Sequence, residues 1–300
     1  MYKINHIQNS ENNQDFIEIA NSLTNSYAKI YLNQGASLQD LKLSNHVLIK
    51  DMHPMTYDKT YASSILFPFA NRVKDGTYKF NGETYHLDIN QKEENNALHG
   101  LVYNKTFVVT SQETNKEFAS VTLLYQEKKG SPGFPFTYSI QLEYVLTQNT
   151  LDLIVKIKNT DSKTFPFTLG WHPYFLSSDL FKSSLLFDCN KKTVLDERNI
   201  TKGISYIDPV ECLQIKDQSF DDCYVLNSNE VTFLTPKYIL ILTSTEEDSF
   251  LQIYTPPHKN TIAIEPTTGV SDSLNNNIGL KTLHPDETYS ITWNLSTCSN

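Results

Sequence analysis

The chain has 300 residues, of which 39% are hydrophobic and 12% aromatic, and its formal net charge is −9 at neutral pH. An acidic chain whose basic residues never form a run longer than a pair is not expected to bind nucleic acid or an anionic membrane surface. The longest apolar runs are too short to cross a bilayer, and the polar N-terminal segment lacks the apolar stretch of a secretory signal, so no membrane partner is predicted.

The cysteines favour an intracellular location. They show no CxxC pair and no regular spacing, which indicates reduced thiols rather than a disulfide framework. They are Cys189, Cys212, Cys223 and Cys298. The expected location is therefore the cytoplasm.

Alternation of apolar and polar residues, the pattern of a strand with one buried face, dominates the chain. In chain order it predicts strands at 28–32, 120–125, 238–243, 250–254, 261–265 and 289–295. Two hairpins are predicted as well, one over 77–87 with Asn81-Gly82 as its turn and one over 138–159. Helical periodicity is nearly absent, and the loops 51–65 and 270–286 are long enough to shape a cleft. The pattern predicts an all-β fold, one large antiparallel β-sandwich, with residues 1–300 as a single domain.

Arginine is rare in this chain, because Arg72 and Arg198 are the only two. Arg198 lies in a charged turn and is predicted to be a surface residue. Arg72 follows the apolar segment 67–70 and stands beside Asn71. A charged side chain next to an apolar segment is usually either paired with an opposite charge or needed for binding or catalysis. Two interpretations stay open for Arg72, substrate binding and a buried structural ion pair.

Two histidines stand in unusual local sequences. His99 precedes Gly100, which permits a tight backbone course beside the imidazole. His172 lies in the segment GWHPYF, where Trp171, Tyr174 and Phe175 are candidates for stacking on a sugar face. The alternatives are a turn histidine for the first and a core histidine for the second. The remaining histidines show no metal-ligand spacing and are assigned to the surface or to turns.

Two acidic positions complete the candidate set. Glu265 ends the strand 261–265, and if Ile262 and Ile264 face the core, Glu265 faces the other side. A partly desolvated carboxylate there would have a raised pKa, as a general base requires. Asp221 and Asp222 are adjacent, so they point to opposite faces of a strand and only one can join a site. An exposed strand end and a solvated acidic turn are the alternatives.

Taken together and in this order, these segments resemble the aldose 1-epimerase (galactose mutarotase) family over nearly the whole chain. The segments that carry the resemblance are Gly35-Ala36-Ser37-Leu38, Asn71-Arg72, His99-Gly100, Gly170-Trp171-His172-Pro173-Tyr174-Phe175, Asp221 and Glu265-Pro266. Two positions depart from the best-known hexose mutarotases, which carry another glycine after His99-Gly100 and often a histidine where Asp222 stands.

The resemblance implies a large antiparallel supersandwich with a sugar-sized cleft, a small-molecule sugar as substrate, and no cofactor or metal. It implies that Glu265 is the general base, that His172 is the general acid and that His99 assists at the ring oxygen. Arg72, Asn71 and Asp221 would then bind sugar hydroxyls. The expected assembly is a monomer or a homodimer.

Three alternatives to the epimerisation of free aldoses stay open. The first is the same chemistry on a hexose 6-phosphate, for which the scarcity of arginine is unfavourable, or on another unusual sugar such as a ketose or a modified sugar. The second is a sugar-binding protein without turnover, which would not need an acid and a base. The third is an inverting glycosidase using Asp221 and Glu265, which predicts carboxylates about 6.5–9.5 Å apart and leaves both histidines without a role.

Overall fold

Strands make up 56% of the chain and helices 4% in the computed structural model, which describes residues 1–9, 14–247 and 249–299. The strands are β1 (Tyr2–Asn9), β2 (Gln14–Asn21), β3 (Ser26–Tyr31), β4 (Ser37–Leu43), β5 (His46–Ile49), β6 (Ile65–Leu66), β7 (Arg72–Lys74), β8 (Thr77–Phe80), β9 (Glu83–His86), β10 (Asn96–Leu98), β11 (Val108–Thr114), β12 (Ala119–Glu127), β13 (Tyr138–Leu146), β14 (Thr150–Asn159), β15 (Phe165–Phe167), β16 (Gly170–Trp171), β17 (Tyr174–Leu176), β18 (Ser184–Leu195), β19 (Thr201–Gln214), β20 (Asp221–Leu226), β21 (Glu230–Leu234), β22 (Tyr238–Ser244), β23 (Phe250–Tyr254), β24 (Thr261–Thr267), β25 (Lys281–Leu283) and β26 (Thr288–Ser299). The helices are α1 (Tyr57–Thr60), α2 (Ser273–Asn276) and a 3₁₀ turn at Leu180–Lys182.

Fifteen of these strands form one large sheet, whose main path runs β11-β12-β13-β14-β26-β22-β21-β18-β20-β23-β24-β16-β6. In addition, β17 pairs with β24, and β19 pairs with β18. The first five strands form a second sheet in chain order, and three two-stranded ladders complete the fold. The ladders seen in the described part of the chain are antiparallel, as the alternating pattern predicts. The predicted all-β antiparallel sandwich is confirmed.

The predicted hairpin over 138–159 is formed by β13 and β14. In its register Leu142 lies opposite Val155, and Ile140 lies opposite Ile157. These four side chains are fully buried. Burial of each such side chain contributes about 1.5–3 kcal/mol, so the apolar face selects the register. The sequence pattern identifies this hairpin because every second residue enters the core.

The predicted hairpin over 77–87 is formed by β8 and β9. Its two turn residues, Asn81 and Gly82, have φ angles of 48° and 84°. A type I′ turn requires positive φ at both central positions, which asparagine and glycine tolerate best. The Asn-Gly signal therefore places the turn correctly.

The long hairpin of β18 and β19 was not predicted from the sequence. Its register shifts between Leu186 and Cys189, between Cys189 and Lys191, and between Val194 and Leu195. Each shift moves the next side chains to the other face, so the period of two is lost from the sequence. The four cysteines of the chain, two buried and two exposed, are all free.

The sheet order places the candidate site. Strands β20, β23 and β24 are neighbours, and β16 and β17 lie along the other side of β24. Gln252 of β23 lies opposite Glu265 of β24, and Tyr174 of β17 lies opposite Ala263. Segments that lie far apart in sequence thus meet on one face of the sheet. In the described ranges, no helix is both long enough and apolar enough to cross a membrane.

Candidate active site

The six residues singled out from the sequence line one cleft with a cavity volume of about 190 Å³. They are Asn71, Arg72, His99, His172, Asp221 and Glu265. They come from β7 and the turn before it, the end of β10, the β16–β17 connection, β20 and β24. The sheet order thus brings the six residues singled out from the sequence together in one cleft.

His172 and Glu265 form a buried pair at the floor of the cleft. His172 Nε2 lies 3.5 Å from Glu265 Oε1, and the two side chains are only 5% and 4% exposed. The His172 backbone is held on both sides by the loop 51–65. Its N–H donates to the Ser64 carbonyl at 3.1 Å, and its carbonyl accepts from the Ser63 N–H at 2.7 Å. The imidazole therefore projects from a fixed backbone.

Burial sets the proton distribution of this pair. It raises the pKa of Glu265 well above 4.5, an effect that the negative charge of Asp221 reinforces and the positive charge of Arg72 opposes. It lowers the pKa of His172 to about 3. Desolvation disfavours both charged forms. Between the two pKa values the pair holds one proton, which sits on the carboxyl in the neutral form and on the imidazole in the ionic form.

The backbone at Asn71 and His99 is left-handed, with φ of 61° at both residues. The His99 N–H donates to the Asn71 carbonyl at 2.9 Å, so the two unusual conformations support each other. Gly100 follows with φ of 76°, and a Cβ on it would lie 2.3 Å from the Phe67 carbonyl oxygen. Glycine is required there because no side chain fits. Strain of this kind is characteristic of functional sites.

Five aromatic rings form a continuous row, and four of them line the cleft. The order is Tyr103, Tyr61, His99, His172 and Tyr174, with successive ring centroids 4.8, 4.9, 5.0 and 4.9 Å apart. The row clamps both imidazoles between tyrosines. Burial lowers the pKa of His99 well below its ordinary value, and the neighbouring His172 and Arg72 act in the same direction. His99 is thereby kept neutral.

The prediction that three aromatic residues of the GWHPYF segment face a sugar is correct for position only at Tyr174, which lines the cleft. Trp171 and Phe175 are fully buried in the core instead. Trp171 stacks on Trp293 with ring centroids 6.0 Å apart. The two core residues alternate with the cleft-facing residues along the segment, so the strand period decides which rings reach the cleft.

Part of the cleft lining is a closed circuit of polar contacts, here called the polar wall. Its members are Asn71, Arg72, Asp221 and Gln252. Arg72 Nη1 donates to Asn71 Oδ1 at 2.9 Å, and Asn71 Nδ2 donates to Gln252 Oε1 at 3.4 Å. Gln252 Nε2 donates to Asp221 Oδ1 at 2.7 Å, and Asp221 Oδ2 lies 3.9 Å from Arg72 Nη2. The circuit holds donors and acceptors rigidly toward the cleft, as recognition of several hydroxyl groups requires.

The question of which aspartate joins the site is settled by the structure. Asp221 lines the cleft. Asp222 points to the other face of β20, where its Oδ1 lies 2.6 Å from Lys192 Nζ. Burial raises the pKa of Asp221, and the positive charge of Arg72 opposes the shift. The positive charge of Arg72 therefore offsets part of the cost of burying the Asp221 carboxylate.

Sequence reasoning missed several contributors to the site, of which three make notable contacts. Gln252 and Tyr61 line the cleft, and Glu94 Oε2 accepts from Arg72 Nε at 3.3 Å. Glu94 and Tyr61 lie in irregular segments without periodicity, so no local signal marks them. Gln252 was identifiable only once its pairing with Glu265 was known.

Two expectations need correction. Arg198 is not a simple surface residue, because its side chain is 26% exposed and its Nη2 donates to Asn96 Oδ1 at 2.7 Å.

Of the two long loops, 51–65 contributes to the cleft lining and 270–286 does not. The second loop instead supports the Arg72 strand. The Asp272 N–H donates to the Arg72 carbonyl at 2.6 Å, and Asp272 Oδ1 accepts from the Lys74 N–H at 2.9 Å.

Comparison with protein families places the chain. Residues 15–296 match the family described as aldose 1-epimerase. The chain belongs to the aldose 1-epimerase family. The family resemblance inferred from the sequence is thus confirmed over nearly the whole chain.

The proteins that are similar to this chain have low sequence identity to it, and the solved structures among them share its fold. The uncharacterized protein YihR of Escherichia coli (strain K12) is 23% identical over 273 residues, which cover 87% of each chain. The galactose mutarotase of Homo sapiens is 30% identical over 115 residues, which cover 38% of this chain and 32% of that protein. A galactose mutarotase-like protein from Clostridium acetobutylicum has a TM-score of 0.87 at 20% identity, with 100% of this chain and 99% of that chain covered. The galactose 1-epimerase from Lactobacillus acidophilus NCFM has a TM-score of 0.81 at 19% identity, with the same coverage.

Proposed function

We propose that the protein is an active aldose 1-epimerase that interconverts the α and β anomers of free aldohexoses. The observation that carries the proposal is the buried His172–Glu265 pair, whose reactive atoms are 3.5 Å apart at the floor of an open cleft. In a cyclic aldose the anomeric hydroxyl and the ring oxygen are bonded to the same carbon. An acid and a base that serve these two oxygens must therefore lie close together.

In the proposed mechanism the pair reacts in its ionic form, in which Glu265 takes the proton of the anomeric hydroxyl and His172 gives its proton to the ring oxygen. The bond between the anomeric carbon and the ring oxygen breaks, which leaves an open-chain aldehyde. Rotation about the adjacent carbon–carbon bond exposes the other face of the carbonyl. Ring closure then reverses both proton transfers, so the two groups exchange the roles of acid and base.

The remaining cleft residues would orient the sugar. His99 lies beside His172, where it would hydrogen-bond the ring oxygen or assist the proton transfer. Arg72, Asn71 and Asp221 would bind the hydroxyl groups through the polar wall. Holding the sugar in one orientation beside the acid and the base lowers the entropic part of the activation barrier.

The charge of the cleft favours a neutral sugar over a hexose 6-phosphate. The cations that line the cleft are Arg72 and Lys59. Arg72 already faces two carboxylates, with Glu94 at 3.3 Å and Asp221 at 3.9 Å. A phosphate would have to compete with both carboxylates for the guanidinium.

Catalysis is favoured over sugar binding without turnover. Burying a carboxyl group and an imidazole costs folding free energy because both are desolvated. A protein that only held hydroxyl groups would gain nothing from that cost. We also propose that residues 1–300 act as one domain, since a continuous apolar core extends from Tyr2 to Leu295.

The test of the proposed function is polarimetry of freshly dissolved α-D-glucose and α-D-galactose at neutral pH, with and without the protein and with no added metal. We expect faster relaxation to the same equilibrium rotation. No acceleration for either sugar, followed by acceleration for glucose 6-phosphate, would favour the phosphorylated substrate. Binding of a sugar without acceleration of any would favour the non-catalytic alternative.

The pH dependence of the rate is expected to show a broad plateau. The active pair carries one proton, and it carries one proton between the lowered pKa of His172 and the raised pKa of Glu265. Below the first pKa the base is lost because both groups are protonated. Above the second the acid is lost because both are deprotonated, and the rate should fall about tenfold per pH unit on either side. Single-turnover rates in several buffers, corrected for the protein-free reaction, would measure the profile. A narrow optimum with both limbs inside the plateau would contradict this assignment.

Asp221→Asn is expected to raise KM about 10- to 100-fold and to leave kcat nearly unchanged. The change removes a charged acceptor, and hydrogen bonds to charged groups contribute about 1.5–3 kcal/mol. Asp222→Asn is the matched control, because its carboxylate contacts Lys192 on the other face of the strand. Initial rates over a range of aldose concentrations separate the two parameters. Equal effects of the two substitutions would refute the binding role of Asp221.

A further inference from the structure

The two arginines of the chain converge on a single residue, Glu94. The Arg72 side chain donates to Glu94 Oε2 at 3.3 Å. The Arg198 side chain donates from Nε to the Glu94 carbonyl at 2.8 Å. In a chain that otherwise uses lysine for its positive charge, both planar guanidinium groups are therefore placed around one short loop.

Arg198 holds this loop at several points. Its Nη2 donates to the Asn95 carbonyl at 3.0 Å, to Asn96 Oδ1 at 2.7 Å and to Asp75 Oδ1 at 3.0 Å. With the contact to Glu94, the guanidinium binds three consecutive residues, which are the last two of the loop and the first of β10. A lysine cannot reproduce this geometry, because its single ammonium group lacks the fork of donors.

Asn199, the residue that follows Arg198, contacts Asp221 of the polar wall. Asn199 Nδ2 donates to Asp221 Oδ2 at 3.1 Å. The turn 196–199 thus contacts Arg72 through Glu94, and it contacts Asp221 directly. Arg72 and Asp221 face each other at 3.9 Å across the cleft wall.

The turn itself is built to be rigid. Asp196 Oδ1 accepts from the Arg198 N–H at 2.9 Å and from the Ile200 N–H at 3.0 Å. The Asp196 N–H donates to the Ile200 carbonyl at 2.9 Å. Asn199 adopts a φ of 57°, a conformation that asparagine tolerates better than most residues. Ile200 is buried, which anchors the end of the turn in the core.

We propose that Arg198 and Asn199 are positioning residues for sugar binding, which hold Arg72 and Asp221 at the separation that matches the substrate hydroxyls. The inference rests on the proposed function of the cleft. Neither residue lines the cleft, so each acts through another group: Arg198 through Glu94 and Asn199 through Asp221.

The test compares Arg198→Lys and Asn199→Asp with the wild-type protein. The first keeps the charge and removes the fork of donors. The second keeps the size and sets a carboxylate against Asp221. We expect each to raise the KM for the preferred aldose about tenfold with kcat within about twofold of wild type. Lys191→Gln, which removes a cation on the same hairpin that lies over Tyr206, is the control and should leave both parameters unchanged.

A purely structural turn would give a different result. The variants would melt at a lower temperature with an unchanged KM in the folded protein, and that result would overturn the inference. A sugar-free crystal structure of Arg198→Lys gives a second readout. We expect Glu94 to lose its contact with Arg72, and an unchanged contact would also overturn the inference. If the wild-type protein accelerates no aldose, the proposed function fails, and the crystal structure still decides whether Arg198 positions Arg72.

Discussion

Glu265→Gln is expected to slow anomer interconversion by about 10²- to 10⁴-fold, the range typical for loss of a general base. Glutamine has the same shape but cannot accept the proton of the anomeric hydroxyl. KM should change little, because the polar wall that binds the hydroxyls remains. The measurement is polarimetry or NMR saturation transfer between the two anomers. Glu94→Gln, which alters another carboxylate near the cleft, is the matched control and should retain most of kcat.

The same substitution is expected to stabilise the fold at neutral pH. Burial raises the pKa of Glu265 in the folded protein, so ionising it costs stability as pH rises above the ordinary carboxyl pKa of about 4.3. The variant should melt at a higher temperature than wild type at pH 7 and at about the same temperature at pH 4. A fully active variant would refute the base assignment. An inactive variant that is also less stable at pH 7 would favour a structural role for the His172–Glu265 pair.

His172→Gln is expected to lower kcat by about 10²- to 10⁴-fold as well, because the ring oxygen loses its proton donor. His53→Gln is the matched control, since His53 is an exposed histidine of the loop that supports the His172 backbone. Rates for the variant and the control under identical conditions separate loss of the acid from disturbance of the loop. Wild-type rates in the folded His172→Gln variant would refute its assignment as the acid.

The two substitutions should not be additive. Acid and base act on one bond in one transition state, so a protein lacking both should be about as slow as one lacking either. Additive losses would indicate that His172 and Glu265 contribute to separate steps. The double variant should also retain sugar binding, which titration calorimetry would measure.

Much of the strand pattern was predictable, and the exceptions have a physical cause. The strand 250–254 was predicted with the bounds that the structure shows, and the strand 261–265 continues for two more residues in β24. Both strands are almost entirely buried on both faces, and short apolar runs bounded by turn signals are typical of such strands. The hairpin of β18 and β19 was missed because bulges break the alternation.

The residues of the candidate site also fall into those that the sequence identified and those that it did not. Glu265, His172 and Arg72 were identifiable because charged or polar residues interrupt apolar segments, where burial without a purpose is costly. Glu94 and Arg198 were missed or misjudged because each lies in an irregular segment. Their significance depends on contacts with residues about 100 positions away in the chain, such as the 2.8 Å bond from Arg198 to the Glu94 carbonyl.

By itself, the sequence determined the all-β architecture and the candidate acid, base and polar groups, because the period of two and the interruption of apolar runs are local properties. Only the tertiary structure decided that Asp221 rather than Asp222 faces the cleft, that Trp171 belongs to the core, and that Arg198 contacts Glu94, which in turn contacts Arg72. Strand order and register bring distant residues together, and no local pattern encodes either. The 3.5 Å separation of His172 and Glu265 is a property of β16, β17 and β24 as neighbours in one sheet.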